Sequence, residues 1–222
     1  MSEIIVQKFG GTSLGSVERF DAVAEIIKKE LNKTKVVVVV SAMSGETNRL
    51  IDLANSFGNS PDKREFDALV STGETISSAL LSMALHSKGI KARSFSASQI
   101  SIRTTSSYSK AKILDVDAKK ILDVLENDTV PIITGFQGIT EGGDITTLGR
   151  GGSDATAVAI AAQINAKRCD IYTDVDGIFT TDPDIVSNAK KLDSITMEEM
   201  LELAGQGAKV VQTRAVEFAN KY

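Results

Sequence analysis

The chain has 222 residues, of which 42 % are apolar and 24 % charged, with a formal net charge of −4. That supports one large domain or two closely joined lobes, excludes wholesale disorder, and gives no reason to expect a nucleic-acid or anionic-membrane partner. Cys169 is the only cysteine and His86 the only histidine, which excludes an intrachain disulfide and a Cys/His zinc site and suits a reducing cytoplasm.

Met1-Ser2-Glu3-Ile4 lacks the basic-then-apolar pattern of a secretory signal. Ile4 to Phe9 reads as a strand that ends at Gly10-Gly11. Val17, Phe20, Val23, Ile26, Ile27 and Leu31 then recur at helical spacing. Val36 to Val40 is too short to cross a bilayer, and its β-branched run suits a central parallel strand covered on both faces. Residues 49 to 69 read as mostly helical around a break at Asn59-Ser60-Pro61, and Glu74 to His86 as a helix ended near Gly89. Ile90 to Phe95 and Val130 to Thr134 read as strands, and Asp117 to Glu126 as a helix between them; the Ser/Thr-rich residues 96 to 112 carry no clear pattern.

Seven of the 17 glycines lie between Gly135 and Gly152, where no Pro-rich or charged linker intervenes. This density reads as working loops rather than a tether. An Ala-rich helix, Ser153 to Ile164, and a strand, Arg168 to Thr173, follow. Thr196-Met197-Glu198-Glu199 reads as a capping box, and Lys209 to Asn220 as a last helix. Strands thus alternate with helices throughout, which predicts an α/β fold: a mostly parallel sheet between helical layers, with ligands beyond the C-terminal ends of the strands.

Several segments could carry chemistry there. Lys8-Phe9-Gly10-Gly11-Thr12-Ser13 sets a cation before two glycines whose N–H groups can approach an anion, although a tight turn with a solvated lysine fits too. It is neither a Walker A loop nor a dinucleotide fingerprint. Gly149-Arg150-Gly151-Gly152-Ser153-Asp154 presents a guanidinium fork at a helix N-terminus, with an ordinary capped turn as the bland alternative. Asp154 makes more sense as the partner of an ammonium, such as that of Lys8, than beside an anionic ligand alone. Asp170 to Gly177, followed by Asp182-Pro183-Asp184, could hold ribose hydroxyls, a base edge or Mg²⁺ waters, or form a solvated acidic loop. Glu74 could cap its helix or bind the amino group of a small substrate. Cys169 reads as a core residue and His86 as a helix-end cap.

Taken in order, Lys8-Phe-Gly-Gly-Thr-Ser13, Ser41-Ala-Met43, Ser71-Thr-Gly-Glu74, Gly135-Phe-Gln-Gly138, Thr147-Leu-Gly-Arg-Gly-Gly-Ser-Asp154, Thr173-Asp-Val-Asp-Gly177 and Gly207-Ala-Lys209 resemble the aspartokinase family. The resemblance runs from about residue 4 to the end. It implies the amino acid kinase fold, a three-layer α/β/α sandwich with one largely parallel, eight-stranded sheet. It also implies ATP- and Mg²⁺-dependent phosphorylation of the L-aspartate side chain, the entry to lysine, threonine and methionine synthesis, with the amino acid in the N-terminal part and nucleotide in the C-terminal part.

Residue by residue, the resemblance implies catalytic roles for Lys8 and Asp154. It implies an aspartate pocket of Thr47, Glu74, Arg150, Gly151, Gly152 and Ser153. The nucleotide would be held by Lys8, Phe9, Gly10, Gly11, Thr173, Asp174, Phe179, Asp184, Lys209 and Val210. Paired regulatory ACT domains and a further strand, which the resemblance also implies, are not recognisable in the 222 residues. The chain therefore reads as a catalytic domain cut short, expected to lack feedback inhibition, with homo-oligomerisation left open. The rivals are a kinase of the same fold acting on glutamate, acetylglutamate, carbamate or a nucleotide monophosphate, and a non-catalytic nucleotide-binding subunit.

Overall fold

The computed structural model describes residues 3–58, 60–181 and 185–205. In chain order the first elements are β1 (Ile4–Phe9), a 3₁₀ turn (Gly11–Leu14), α1 (Val17–Leu31), β2 (Lys35–Val40), α2 (Glu46–Asn55), α3 (Lys63–Val70) and α4 (Thr72–Ser87). There follow β3 (Ala92–Phe95), α5 (Ala97–Ile100), β4 (Ile102–Thr104), β5 (Ile113–Val116), α6 (Ala118–Glu126) and β6 (Val130–Thr134). The chain continues with β7 (Gln137–Ile139), β8 (Ile145–Thr147), α7 (Gly152–Gln163), β9 (Arg168–Tyr172) and α8 (Met197–Gly205). Asp182 to Asp184 and the predicted helix Lys209 to Asn220 lie outside the described residues.

Five strands form a parallel sheet in the order β3-β6-β2-β1-β9. The valine run of β2 shows why it is central. Val36, Val38 and Val40 point into one core with Phe20, Val23 and Ile27 of α1 and Leu81 and Leu85 of α4. Val37 and Val39 point into the other, with Ile121 and Leu125 of α6 and Ala157 and Ile160 of α7. A strand buried on both faces needs apolar side chains at every position, so it shows no alternation. The result is the expected α/β/α layering.

One expectation needs correction. The resemblance implied one eight-stranded sheet, but β5-β4-β7-β8 form a separate four-stranded sheet. β4 pairs antiparallel with β5, β7 antiparallel with β8, and β4 parallel with β7. The chain leaves the main sheet at Gly135 and Phe136, where Phe136 takes φ of +65°. That left-handed residue breaks the line of β6 and starts the return into β7.

Lys63–Ser87 is the one stretch among the described residues long and apolar enough to cross a membrane, but half of it is buried in the protein. It carries Asp67 and Glu74 into the interior, 0 % and 3 % exposed. The Thr196 capping box forms as read: the Thr196 N–H donates to the Glu199 carboxylate, and the Glu199 N–H to the Thr196 hydroxyl.

Candidate active site

The C-terminal ends of β1, β2 and β6 open into one cleft of about 370 Å³, a volume ordinary for a small-molecule site. Lys8, Gly11, the loop from Ser41 to Gly45, Thr47, Glu74, Phe136 and the run Gly149 to Asp154 line it. Loops far apart in sequence thus meet at one edge of the sheet.

The β1 end brings the first group. Lys8 belongs to the strand but points toward α7, and its Nζ lies 2.7 Å from Asp154 Oδ1. Both side chains are nearly buried, at 10 % and 13 % exposure. This ion pair is the partnership expected from the charge of Asp154 at the start of α7. The turn after Lys8 packs backbone to backbone, with the Ser44 N–H donating to Gly11 O at 3.1 Å. A β-carbon at Gly11 would sit 2.7 Å from the Ala42 carbonyl oxygen, so the approach admits only glycine.

Glu74 forms the far wall. It stands in the first turn of α4, where its own backbone N–H also bonds it, and its Oε1 accepts from the Ala42 N–H at 3.0 Å, so it ties the β2 loop to the helix start. Its Oε2 is buried without a partner. Burial pushes this carboxyl up to about 8, with the Ala42 hydrogen bond acting in the opposite direction. An unsatisfied carboxylate oxygen facing a cleft is an incomplete pair awaiting a donor.

The third wall is the loop between β8 and α7. Gly151 precedes α7 with φ of +71°, a conformation glycine takes without strain. Ser153 is buried behind it, and Arg150 is exposed at the rim with no partner among the described residues. The Phe136 N–H donates to the Thr156 hydroxyl, which donates in turn to Gly152 O, holding the left-handed Phe136 against the start of α7. The cleft therefore presents a free guanidinium, a paired ammonium and a buried carboxyl with one unpaired oxygen.

A model of the amino acid kinase family matches residues 3–222. The chain belongs to the amino acid kinase family. It is 56 % identical over 220 residues to an aspartate kinase of Stutzerimonas stutzeri, covering 99 % of this chain and 53 % of that protein. The solved structure of aspartate kinase from Synechocystis superposes with a TM-score of 0.88 at 47 % identity, over 99 % of this chain and 36 % of that one. E. coli aspartokinase III in complex with aspartate and ADP superposes with a TM-score of 0.89 at 31 % identity, over 99 % of this chain and 60 % of that one. The chain thus spans about half the length of the curated relatives it matches.

The residues expected around the amino acid, namely Thr47, Glu74 and Arg150 to Ser153, all line the cleft, as do Lys8 and Asp154. Of the residues expected at the nucleotide, Lys8 and Gly11 also line the cleft. Gly10 donates its N–H to Tyr172 O and so bonds β1 to the end of β9, where exposed Thr173 and Asp174 follow. Phe179 pairs instead with Lys191. Phe9 is fully buried, its ring stacked on Tyr172 at 4.6 Å and its carbonyl accepting from the Ser41 N–H at 3.1 Å. Asp184, Lys209 and Val210 lie outside the described residues.

Neither Cys169 nor His86 lines the cleft. Burial pushes the Cys169 thiol up to about 12, which fits its reading as an inert core residue. His86 does not cap its helix: its Nε2 bonds Ala92 O at 2.7 Å, at the N-terminal end of β3 and away from the cleft. Two buried polar residues, Gln137 and Asp67, take roles that the sequence does not assign. Gln137 donates to Ser71 O and accepts from the Thr134 hydroxyl, joining β6, β7 and the start of α4. Asp67 binds the base of the arginine loop. The available signal was its place on the buried face of α3, three residues before Val70.

Proposed function

We propose that this chain is an aspartate kinase domain, transferring the γ-phosphoryl group of ATP to the side-chain carboxylate of L-aspartate to give 4-phospho-L-aspartate and ADP. The observation that carries this reading is the cleft's charge pattern. A free guanidinium suits an α-carboxylate, the unpaired Glu74 oxygen suits an α-ammonium, and the Lys8 ammonium suits the reacting carboxylate. The high identity to curated aspartate kinases supports the same substrate.

The chemistry needs no general base, because a side-chain carboxylate is already ionised at neutral pH. A carboxylate oxygen attacks the γ-phosphorus while the bond to the β-phosphate oxygen breaks, and that oxygen leaves with the electron pair as part of ADP. Lys8 offsets the charge of the two anions as they close, and Asp154 keeps its ammonium turned toward the cleft. Gly11, Thr47 and Ser153 would complete the cradle of the amino acid and the transferring group.

We assign the nucleotide to the C-terminal part, beside Gly10, Thr173 and Asp174, with Phe179, Asp184, Lys209 and Val210 as the expected further contacts. Among the described residues no three His, Cys, Asp or Glu side chains cluster to hold a metal. Mg²⁺ is assigned as the ion that comes with ATP, where it would neutralise phosphate charge. A cytoplasmic setting is assigned on the single cysteine.

The test is ATP consumption against aspartate, glutamate, N-acetylglutamate and nucleoside monophosphates, with hydroxylamine to trap acyl phosphate. Aspartate-dependent hydroxamate is expected. Turnover with another acceptor in preference to aspartate would overturn the substrate, and ATP binding without turnover would favour the non-catalytic subunit.

A further inference from the structure

Asp67 is fully buried in α3, and both of its carboxylate oxygens are saturated. Oδ2 accepts from the N–H groups of Ser109 at 2.8 Å and Thr147 at 2.7 Å. Oδ1 accepts from the Ser109 hydroxyl at 2.9 Å and the Thr147 hydroxyl at 3.0 Å. All four donors are neutral. A buried carboxylate without a cation is costly to place, and it persists only where the geometry around it is fully specified. An apolar residue at this point of α3 would strand the Thr147 and Ser109 N–H groups and hydroxyls without an acceptor, so the aspartate is there for what it binds rather than for its volume.

What Asp67 holds lies next to the cleft. Thr147 ends β8, and Leu148, Gly149 and Arg150 follow directly. Asp67 grips the Thr147 N–H and hydroxyl, while the Thr147 carbonyl accepts from the Ala111 N–H at 3.0 Å. Every polar group of Thr147 is thus engaged. Leu148 is then tied through its N–H to Phe136 O, and Gly152 through its N–H to Gly149 O, both at 3.0 Å. At its other end, α3 passes through Ser71 into α4, which carries Glu74 on the opposite wall of the cleft.

We propose that Asp67 is a positioning residue. Through Thr147 it fixes the arginine loop against the helix pair that carries Glu74, and so sets the length of amino acid the cleft accepts. This rests on the aspartate reading of the same cleft. Asp67 touches neither substrate nor reacting atoms; it acts through the separation of Arg150 and Glu74. Losing its grip leaves Lys8 and Asp154 in place, because they hang on β1 and the first turn of α7. The proposal therefore predicts a selective effect on the amino acid.

The experiment compares Asp67→Asn, Thr147→Val and Ser109→Ala with the wild type. Asp67→Asn keeps the shape but turns one acceptor into a donor facing donors. The KM for aspartate should rise roughly tenfold or more, kcat and the KM for ATP should stay within about threefold, and the preference for aspartate over glutamate should shrink. Thr147→Val removes one hydroxyl and should show the same split in weaker form, whereas Ser109→Ala should leave the split smaller still. A parallel fall in kcat and in both affinities would mark a merely structural role and overturn the proposal, as would an unchanged KM for aspartate.

Amide hydrogen exchange separates this proposal from the substrate reading. Faster exchange at Leu148 and Gly152 in Asp67→Asn, with β1 and β2 unchanged, supports the positioning role even if the wild type proves inactive on aspartate. Unchanged exchange at those amides overturns it. Should Asp67→Asn fail to fold, Thr147→Val carries both readouts.

Discussion

Glu74→Gln is the most informative single perturbation. The Glu74 carboxyl has a pKa raised from 4.5 to about 8, and burial is the leading cause. The raised pKa means that the folded state holds a proton which the unfolded state releases. Stability should therefore be highest below pH 4.5, fall as pH rises from 4.5 to 8, and level off above that. The full displacement corresponds to about 5 kcal/mol, and the part between pH 5 and pH 8 to roughly 3–4 kcal/mol. The amide that replaces the carboxyl keeps an oxygen for the Ala42 N–H and does not titrate, so the variant should lack this loss. Urea unfolding of both proteins at pH 5 and pH 8 checks this. The wild type should lose several kcal/mol relative to the variant on going to pH 8. A wild-type-minus-variant difference that is the same at the two pH values would refute the buried, unpaired carboxyl. The same group links to the ligand: an ammonium beside Oε2 favours the charged form, so aspartate binding at pH 7 should release up to about one proton. Calorimetry in buffers of different ionisation enthalpy measures that number, and Glu74→Gln should bring it near zero.

Three further outcomes are expected. Lys8→Ala leaves Asp154 nearly buried without its cation and should destabilise the fold by about 3 kcal/mol or somewhat less, given the opening to the cleft. The cost in the double variant Lys8→Met/Asp154→Leu should be smaller than the sum of the singles, as read by urea unfolding. Gly11→Ala places a β-carbon 2.7 Å from a backbone oxygen; it should cost about 1–3 kcal/mol and displace the Ser41–Gly45 loop, seen as lost activity in a protein that still folds. Cys169, with its thiol pushed up to about 12, should resist iodoacetamide at pH 8 in the native protein and react once urea unfolds it.

The legible parts of the fold share one cause. β1, β2 and β6 are buried on both faces, so β2 and β6 stand out as apolar runs, and α1 packs on β2 with a plain helical stripe. β4, β7 and β8 are three residues each, too short for an alternating pattern to emerge. That is why residues 96 to 112 carried no assignment and why the second sheet was not foreseen. The return from the main sheet depends on Phe136 at positive φ, which the residue type does not announce.

The cleft divides in the same way. Lys8 with Asp154 was readable, because a carboxylate beside a guanidinium and glycine-rich anion site calls for a cation, and few are near. Glu74 was readable as a choice between a cap and a ligand; the Ala42 bond and the orphan oxygen turn it also toward the cleft. Asp67 sits on the buried face of α3 and Gln137 inside the Gly135-Phe-Gln-Gly138 motif, but neither residue type announces its partners. Only the fold brings their donors and acceptors together.

The central claim is phosphoryl transfer to aspartate at the cleft built on Lys8. Its most direct measurement is ADP release with hydroxamate formation, with and without aspartate, in the wild type and in Lys8→Ala. Aspartate-dependent turnover in the wild type, lost by several orders of magnitude in a folded Lys8→Ala, is the predicted result. Equal turnover in the two proteins, or ADP release that ignores aspartate, would contradict it.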